Sequence, residues 1–262
     1  MKTVIDFQVM KRDNKKISVA TCYDYWSARI LDDSDIDAVL VGDSAAMVMH
    51  GFDTTINAEI EMMCYHVAAV KRGLKNKFLI ADLPFLAHKK GEAYFADAVD
   101  KLMKAGAQAV KLEGAQGNIE LIKNITTAGV PVMGHLGLTP QSVNQFGGFK
   151  LQGVTDTAAK QILNDALLLQ SAGCFSIVLE MVPAELAGKV TNELTIPTIG
   201  IGAGAHTSGQ VLVLQDLLGV SQDFNPKFLR KYLNGYDLIK EAVNNYTSDV
   251  KENKFPSEKE SY

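Results

Sequence analysis

Short apolar runs alternate with amphipathic stretches along most of the chain, and this alternation limits the possible folds more than any other feature. Most of the runs are apolar at consecutive positions, which is typical of parallel strands covered by helices on both faces. Residues 57–73, NAEIEMMCYHVAAVKRG, show the other pattern, with Ile60, Met63, Val67 and Val70 at helical spacing. Together the two patterns predict a repeated strand–helix unit. The predicted strands are residues 17–23, 37–43, 78–83, 109–113, 131–136, 175–181, 197–202 and 211–214.

Helix ends carry separate signals. Asn57 is a suitable N-cap for the helix over residues 57–73, and Gly73 ends it. A second helix is predicted over residues 91–106. Glycine supplies the left-handed residue that closes a helix before a strand, and three Ala-Gly pairs stand at such positions. The pairs are Ala105-Gly106, Ala128-Gly129 and Ala172-Gly173.

About eight strand–helix units in a chain of 262 residues are typical of one (β/α)8 TIM barrel. We predict a single α/β domain over residues 1–262 with an N-terminal helix. A C-terminal helix is predicted from Pro226 to about residue 244, followed by a polar tail over about 245–262. A doubly wound open sheet is the alternative, but it usually needs fewer units and would leave the regular spacing through residue 214 unexplained.

Composition and charge exclude several classes of function. The chain is 47% hydrophobic and 21% charged, as in ordinary globular proteins, and its formal charge of −4 predicts neither nucleic acid nor an anionic membrane as a partner. No signal peptide or membrane-spanning run is found. The cysteines Cys22, Cys64 and Cys174 form no CxxC motif, which favours a cytoplasmic location.

Polar side chains stand at the ends of most predicted strands, where an apolar core has no place for them. The stretch VKLEG, residues 110–114, is the clearest case, because Lys111 and Glu113 are two positions apart and face the same side of a strand. In a parallel barrel the C-terminal strand ends converge on one rim, where active sites lie. We therefore expect these side chains to share one polar pocket. They are Asp43, Ser44, Asp82, Lys111, Glu113, His135 and Glu180.

The chemistry of this set is coherent. Asp43, Asp82 and Glu113 are hard oxygen donors with no cysteine near them in the sequence. Such donors favour Mg²⁺ over Zn²⁺, with water and substrate oxygens completing an octahedral shell. Lys111 and His135 are suited to binding the carboxylate of a substrate.

Glu180 is a further carboxylate, available as a general base. Simpler interpretations exist for each residue alone: an aspartate at a strand end usually caps the next helix, Lys111 and Glu113 can form a structural ion pair, and His135 can be a core histidine. Five consecutive strands that end in this way favour a shared site, because buried charge is costly without a partner or a metal.

The glycine-rich stretch IGIGAG, residues 199–204, suggests a dinucleotide or phosphate loop. It lacks the G-x-G-x-x-G spacing followed by a helix, because AHTSGQVLVL comes next. We expect close backbone packing at the barrel mouth to be the role of these glycines.

The chain resembles the ketopantoate hydroxymethyltransferase family at motifs that run in family order over roughly residues 1–240. The most specific stretch is GHLGLTPQSVNQFGGFKLQG, residues 134–153. The other motifs are TCYDY (21–25), VGDS (41–44), HGFDTT (50–55), ADLPF (81–85), VKLEG (110–114), VLEMVP (178–183) and IGIGAG with GQVLVLQDLLG (199–219).

The resemblance implies a TIM barrel related to the phosphoenolpyruvate mutase and isocitrate lyase group. It also implies transfer of a hydroxymethyl group from 5,10-methylenetetrahydrofolate to 3-methyl-2-oxobutanoate (α-ketoisovalerate), with Mg²⁺, which gives 2-dehydropantoate (ketopantoate) for pantothenate and coenzyme A synthesis. The metal ligands that it implies are Asp43, Asp82 and Glu113, and the catalytic base is Glu180. The substrate-binding residues that it implies are Asp43, Ser44, Asp82, Lys111 and His135. Because bacterial members are decamers, it further implies a homo-oligomer, in which the C-terminal helix packs on a neighbour.

Three rival functions remain open at this point. Another Mg²⁺ enzyme of the same group would act on a different 2-oxo acid, but the nucleophilic or thiol-bearing gate loop of those enzymes is not found here. A Schiff-base aldolase would use Lys111. A non-catalytic barrel would neutralise its rim charges in ion pairs. Loss of activity in EDTA, borohydride trapping and ligand-induced thermal shifts distinguish these functions.

Overall fold

The computed structural model describes residues 2–222 and 224–262. The chain divides into two compact units, Met1–Val213 and Leu214–Tyr262. The strands are β1 (Ile17–Thr21), β2 (Ala38–Val41), β3 (Phe78–Asp82), β4 (Ala109–Glu113), β5 (Val132–Gly137), β6 (Ser176–Glu180), β7 (Thr198–Ile201) and β8 (Gly209–Leu212). Neighbouring strands pair in parallel and in sequence order, and β8 pairs with β1 to close a barrel. The predicted (β/α)8 TIM barrel is therefore confirmed.

Helices of the first unit precede, connect and cover these strands. They are α1 (Val4–Arg12), α2 (Tyr25–Asp33), α3 (Ala45–Val48), α4 (Ile60–Gly73), α5 (Glu92–Ala105), α6 (Ile119–Thr127), α7 (Val143–Phe146), α8 (Asp156–Ser171) and α9 (Ala184–Glu193). In the described part of the chain, no helix is long and apolar enough to cross a lipid bilayer.

The predicted cap at Asn57 is wrong, whereas the predicted helix-closing glycines are confirmed. Asn57 ends a 3-10 turn, Thr55–Asn57, and Ala58 and Glu59 keep extended backbone before α4 begins at Ile60. The side-chain oxygen of Asn57 accepts a hydrogen bond from Thr54 instead. Positive φ angles of 118°, 94° and 96° occur at the three glycines that follow alanine. These are Gly106, Gly129 and Gly173.

An apolar plug fills the N-terminal end of the barrel. Phe7 of α1 is fully buried and lies 5.3 Å from Phe78 and 5.8 Å from Phe175, measured between ring centroids. Valine and isoleucine side chains of the strands continue this core. Because this end is apolar and closed by α1, the charged side chains predicted on the strands are confined to the other end.

Close backbone packing at the IGIGAG stretch agrees with the prediction. A Cβ added to Gly200 would lie 2.7 Å from Thr207 Oγ1, and one added to Gly204 would lie 2.4 Å from Ala184 Cβ. Strand β8 begins at Gly209, two positions before the predicted start at residue 211.

The second unit holds α10 (Leu214–Leu217), α11 (Gly235–Lys251) and a 3-10 turn, Glu258–Glu260. The predicted bounds of the C-terminal helix are wrong at both ends, because the apolar spacing of three and four runs from Tyr236 to Val250. Residues 245–251 of the predicted tail are therefore helical. That the whole chain is one domain stays a prediction.

Candidate active site

Strand register brings the predicted residues together at the C-terminal mouth of the barrel. Asp82 of β3 pairs with Lys111 of β4, and Glu113 of β4 pairs with His135 of β5. Glu180 is the last residue of β6. All of these except Glu180 are buried, as are β3, β4 and all of β5 but its last residue, Gly137. These pairings place the side chains of neighbouring strands next to one another, which supports the expectation of a shared polar pocket.

Asp43 and Ser44 reach the same mouth from the turn after β2. The backbone N–H of Asp43 donates to Asp82 Oδ2 over 3.1 Å. Lys111 Nζ lies 3.1 Å from Asp82 Oδ1, and both side chains are buried. The simpler interpretation paired Lys111 with Glu113 on the same strand. In the structure Lys111 instead pairs with Asp82 on the neighbouring strand β3.

Carboxylates outnumber cations in this buried cluster. The pKa values of Asp43, Asp82 and Lys111 are all shifted upward. Burial, followed by the charges of Asp82 and Glu113, raises the pKa of Asp43 well above its ordinary value. Burial also raises the pKa of Asp82, although Lys111 opposes the shift. Burial lowers the pKa of Lys111, but the three carboxylates outweigh it and the net shift is upward. A further cation at this position would therefore be stabilised.

His135 lies between two carboxylates from neighbouring strands. Its Nδ1 atom is 3.5 Å from Glu113 Oε1, and its Nε2 atom is 3.2 Å from Glu180 Oε2. Burial and Lys111 lower the pKa of His135, but Glu113 and Glu180 raise it by more. The net effect is a pKa above the ordinary value for histidine, at about 9. The 3.3 Å contact of its Nδ1 atom with Lys111 Nζ places two basic groups side by side. Such a pair attracts an anion.

The carboxylate oxygens fit a divalent cation that is only partly bound by protein. Asp82 Oδ1 and Glu113 Oε1 are buried without hydrogen-bonded partners, since the contacts of these atoms with Lys111 and His135 lack hydrogen-bond geometry. Among the described residues, no three His, Cys, Asp or Glu side chains are gathered closely enough to hold an ion by themselves. Mg²⁺ usually takes one or two carboxylates and fills its shell with water and substrate oxygens, so the oxygen donors present suit Mg²⁺.

Two buried residues of the mouth lie outside the predicted site set. The Tyr23 hydroxyl is 2.8 Å from Ser44 Oγ, and burial raises the pKa of Tyr23, so the hydroxyl keeps its proton at neutral pH. Gln141 donates from its side chain to Asp43 Oδ2 over 2.7 Å. In the sequence, the only signals for these residues are the motifs TCYDY, which contains Tyr23, and GLTPQS, which contains Gln141. Neither motif indicates that its residue contacts Ser44 or Asp43.

A separate cavity of about 280 Å³ lies at the N-terminal ends of the strands. It is lined by Lys11, Lys16 and Thr191 among others, and by none of the predicted site residues. Active sites of TIM barrels occupy the C-terminal face. The charged cluster at that face, and not this cavity, is therefore the candidate active site.

A closed parallel barrel with acid, base and cationic side chains at its C-terminal mouth defines a TIM-barrel enzyme. The sequence profile of one family, ketopantoate hydroxymethyltransferase, matches residues 1–258. The chain belongs to that family.

Relatives of high identity support the assignment. A 3-methyl-2-oxobutanoate hydroxymethyltransferase of Bdellovibrio bacteriovorus is 59% identical over 262 residues and covers 100% of both chains. A protein of the same name from Coxiella burnetii is 56% identical over 252 residues, which are 96% of this chain and 95% of the relative.

Solved structures share the fold at low identity. A phosphonopyruvate hydrolase in complex with oxalate and Mg²⁺ has a TM-score of 0.62 and 11% identity, over 99% of this chain and 93% of the other. A 2,3-dimethylmalate lyase of the phosphoenolpyruvate mutase and isocitrate lyase superfamily has a TM-score of 0.59 and 14% identity, over 98% and 89%. These matches show the barrel fold.

Proposed function

We propose that the chain transfers a hydroxymethyl group from 5,10-methylenetetrahydrofolate to 3-methyl-2-oxobutanoate, which gives 2-dehydropantoate for pantothenate and coenzyme A synthesis. The names of the relatives support the keto acid as the acceptor. The observation that carries the proposal is the position of Glu180 beside a buried cluster of carboxylates and cations.

The residues that would hold Mg²⁺ are Asp43, Asp82 and Glu113. The first two approach each other through the Asp43 N–H. Within the described part of the chain, Asp82 Oδ1 and Glu113 Oε1 carry no hydrogen bond and lie beside Lys111 and His135, so a metal ion would be a further partner for them. When bound, the ion supplies stabilisation of the negative charge that develops on a keto oxygen.

Cationic and hydroxyl groups would hold the keto acid. Lys111 and His135 lie 3.3 Å apart and present an ammonium and an imidazole to its carboxylate. Ser44, whose Oγ is fixed by Tyr23, can hydrogen-bond a substrate oxygen at the same mouth. These contacts place the carbon next to the keto group near the base.

Glu180 would remove the proton from that carbon. It is less buried than the other site carboxylates, with 16% of its side chain exposed against 5% for Glu113, so substrate can reach it. His135 Nε2 lies 3.2 Å from one of its oxygens. The C–H bond breaks toward the carboxylate and its electrons form the enolate, whose carbon attacks the methylene carbon as one of the two C–N bonds to the folate opens. Water then replaces the remaining folate nitrogen on that carbon and supplies the hydroxyl oxygen, and tetrahydrofolate leaves with the proton.

Direct product analysis tests the proposal. The purified chain is mixed with 3-methyl-2-oxobutanoate, methylenetetrahydrofolate and Mg²⁺, and mass spectrometry follows 2-dehydropantoate. We expect product only when all three are present, and none in EDTA. Product that forms without methylenetetrahydrofolate, or no product under complete conditions, would contradict the proposal.

A Schiff-base aldolase is the rival that the geometry disfavours. Its nucleophile must be a neutral amine, whereas the ion pair with Asp82 keeps Lys111 in the ammonium form. Borohydride treatment with the keto acid is expected to leave the mass of the chain unchanged. A stable adduct on Lys111 would favour the aldolase.

We propose a homo-oligomer, a decamer by family resemblance, that works in the cytoplasm. An apolar stripe on α11, formed by Tyr236, Ile239, Val243, Tyr246 and Val250, is exposed and supports association through this helix. The three cysteines are free thiols, which suits a reducing compartment.

A further inference from the structure

Gln141 joins three strand ends of the barrel mouth. It lies in the 3-10 turn Pro140–Ser142 after β5 and is 6% exposed. Its Nε2 atom donates to Asp43 Oδ2 over 2.7 Å and to Leu83 O over 2.9 Å. Its backbone N–H donates to Glu113 Oε2 over 3.1 Å. One residue therefore contacts two of the three carboxylates that would hold the metal.

The side-chain amide can take only one orientation here. Both of its contacts are acceptors, a carboxylate and a carbonyl, so the nitrogen and not the oxygen must face them. Each of the two N–H groups then has one partner. A carboxylate in place of this amide would have no proton to offer and would add a like charge beside Asp43.

The contacts divide the carboxylate oxygens into two sets. At Asp43 the side-chain amide of Gln141 donates to Oδ2 and not to Oδ1. At Glu113 the hydrogen bond falls on Oε2, and Oε1 is buried without one. In both residues Gln141 bonds only one carboxylate oxygen and does not block the other from a cation.

We propose that Gln141 is a positioning residue that orients Asp43 and Glu113 for a divalent metal. This inference rests on the proposed function, because it assumes that these carboxylates bind the metal. Hydrogen bonds to metal-binding carboxylates fix their direction, and loss of such a partner typically weakens metal affinity about 10- to 100-fold. The contact with Glu113 is made by the backbone N–H, so side-chain variants test the contacts with Asp43 and Leu83 and leave the one with Glu113 in place.

Manganese binding tests the inference without reliance on activity. The Kd for Mn²⁺ is measured by electron paramagnetic resonance, without substrates, for the wild type and for Gln141→Met, which keeps the length of the side chain and removes both N–H donors. Gln145→Met is the matched control, because Gln145 is exposed in the neighbouring helix α7. The melting temperature without metal and the hydrogen exchange rate of the keto acid at saturating Mn²⁺ are measured for the same proteins.

We expect Gln141→Met to raise the Kd for Mn²⁺ by about tenfold or more, Gln145→Met to leave it unchanged, and the exchange rate of Gln141→Met to recover at saturating metal. A Gln141→Met protein with wild-type Mn²⁺ affinity would overturn the inference, whatever its melting temperature. An exchange rate that stays low at saturating Mn²⁺, with an unchanged Kd, would also overturn it.

Should Gln141→Met fail to fold, Gln141→Asn, which cannot reach both acceptors, carries the same expectations. A wild-type chain that binds no Mn²⁺ overturns this inference together with the metal role in the proposed function, whereas normal binding by all variants overturns this inference alone.

Discussion

Asp37 shows how a single charge stabilises the barrel away from the mouth. It accepts hydrogen bonds from the backbone N–H and the hydroxyl of Ser18, over 2.7 and 2.8 Å, and pairs with Lys2 at 2.8 Å. Burial raises the pKa of Asp37, but Lys2 and Ser18 outweigh it, and the pKa in the folded chain lies below its ordinary value. These contacts tie the beginning of β1 to the residue before β2.

The stabilisation by Asp37 is expected to depend on pH. A carboxyl group whose pKa is lowered on folding stabilises the fold at pH values above its unfolded pKa, which is about 3.9 for aspartate. This contribution is lost as the pH falls through the folded pKa. We expect Asp37→Asn to lower the free energy of unfolding by about 1 kcal/mol at pH 7 and by less at pH 3. Urea unfolding across this range measures the difference. An equal loss at both pH values would contradict the assignment.

Removal of one metal carboxylate is expected to abolish most turnover. Asp43→Asn and Asp82→Asn each remove a charge that would face the ion, and we expect kcat/KM to fall by about 100-fold or more. Asp165→Asn is the matched control, since Asp165 is a buried aspartate of α8 that bonds Gln161. Steady-state kinetics with varied Mg²⁺ measures the effect. Near-normal rates in both site variants, with chelator present, would show that the metal role is wrong.

At the scale of elements, α1 closes the barrel with one aromatic side chain. Phe7 packs edge-on against Phe78 of β3 and Phe175 beside β6. We expect Phe7→Ala to lower the free energy of unfolding by about 3–5 kcal/mol, since it leaves a cavity among buried rings. Ile5→Ala is the control on the same helix, because Ile5 is 66% exposed. Denaturant unfolding that shows equal effects for both variants would contradict this role of α1.

The barrel strands and the positions of most site residues could be predicted from the sequence, because their signals are local. Each strand is a short apolar run, and Lys111 and Glu113 stand out within one of them. The contact of Gln141 with Asp43 could not be predicted, because it joins residues 98 positions apart and depends on how the turn after β5 folds over the mouth. Asn57 failed as a cap for a similar reason: tertiary structure keeps the chain extended for two residues past the local signal.

At the scale of the whole molecule, the proposed homo-oligomer would associate through the exposed apolar stripe of α11. Ile239 and Val243 are 56% and 57% exposed at the centre of its apolar stripe. We expect Ile239→Lys with Val243→Lys to reduce the size of the assembly, because buried charge opposes association. Asn245→Lys on the same helix is the control. Light scattering after size exclusion measures the mass, and an unchanged mass in the double variant would contradict an interface at α11.

Hydrogen exchange at the carbon next to the keto group is the measurement that tests most directly whether the carboxylate cluster and Glu180 act together. Proton NMR follows 3-methyl-2-oxobutanoate in D₂O with the chain and without folate, with and without Mg²⁺. We predict exchange that requires Mg²⁺, disappears in Glu180→Gln, and persists in Glu185→Gln, an exposed control on α9. Exchange that proceeds equally without Mg²⁺, or that survives in Glu180→Gln, would contradict the account.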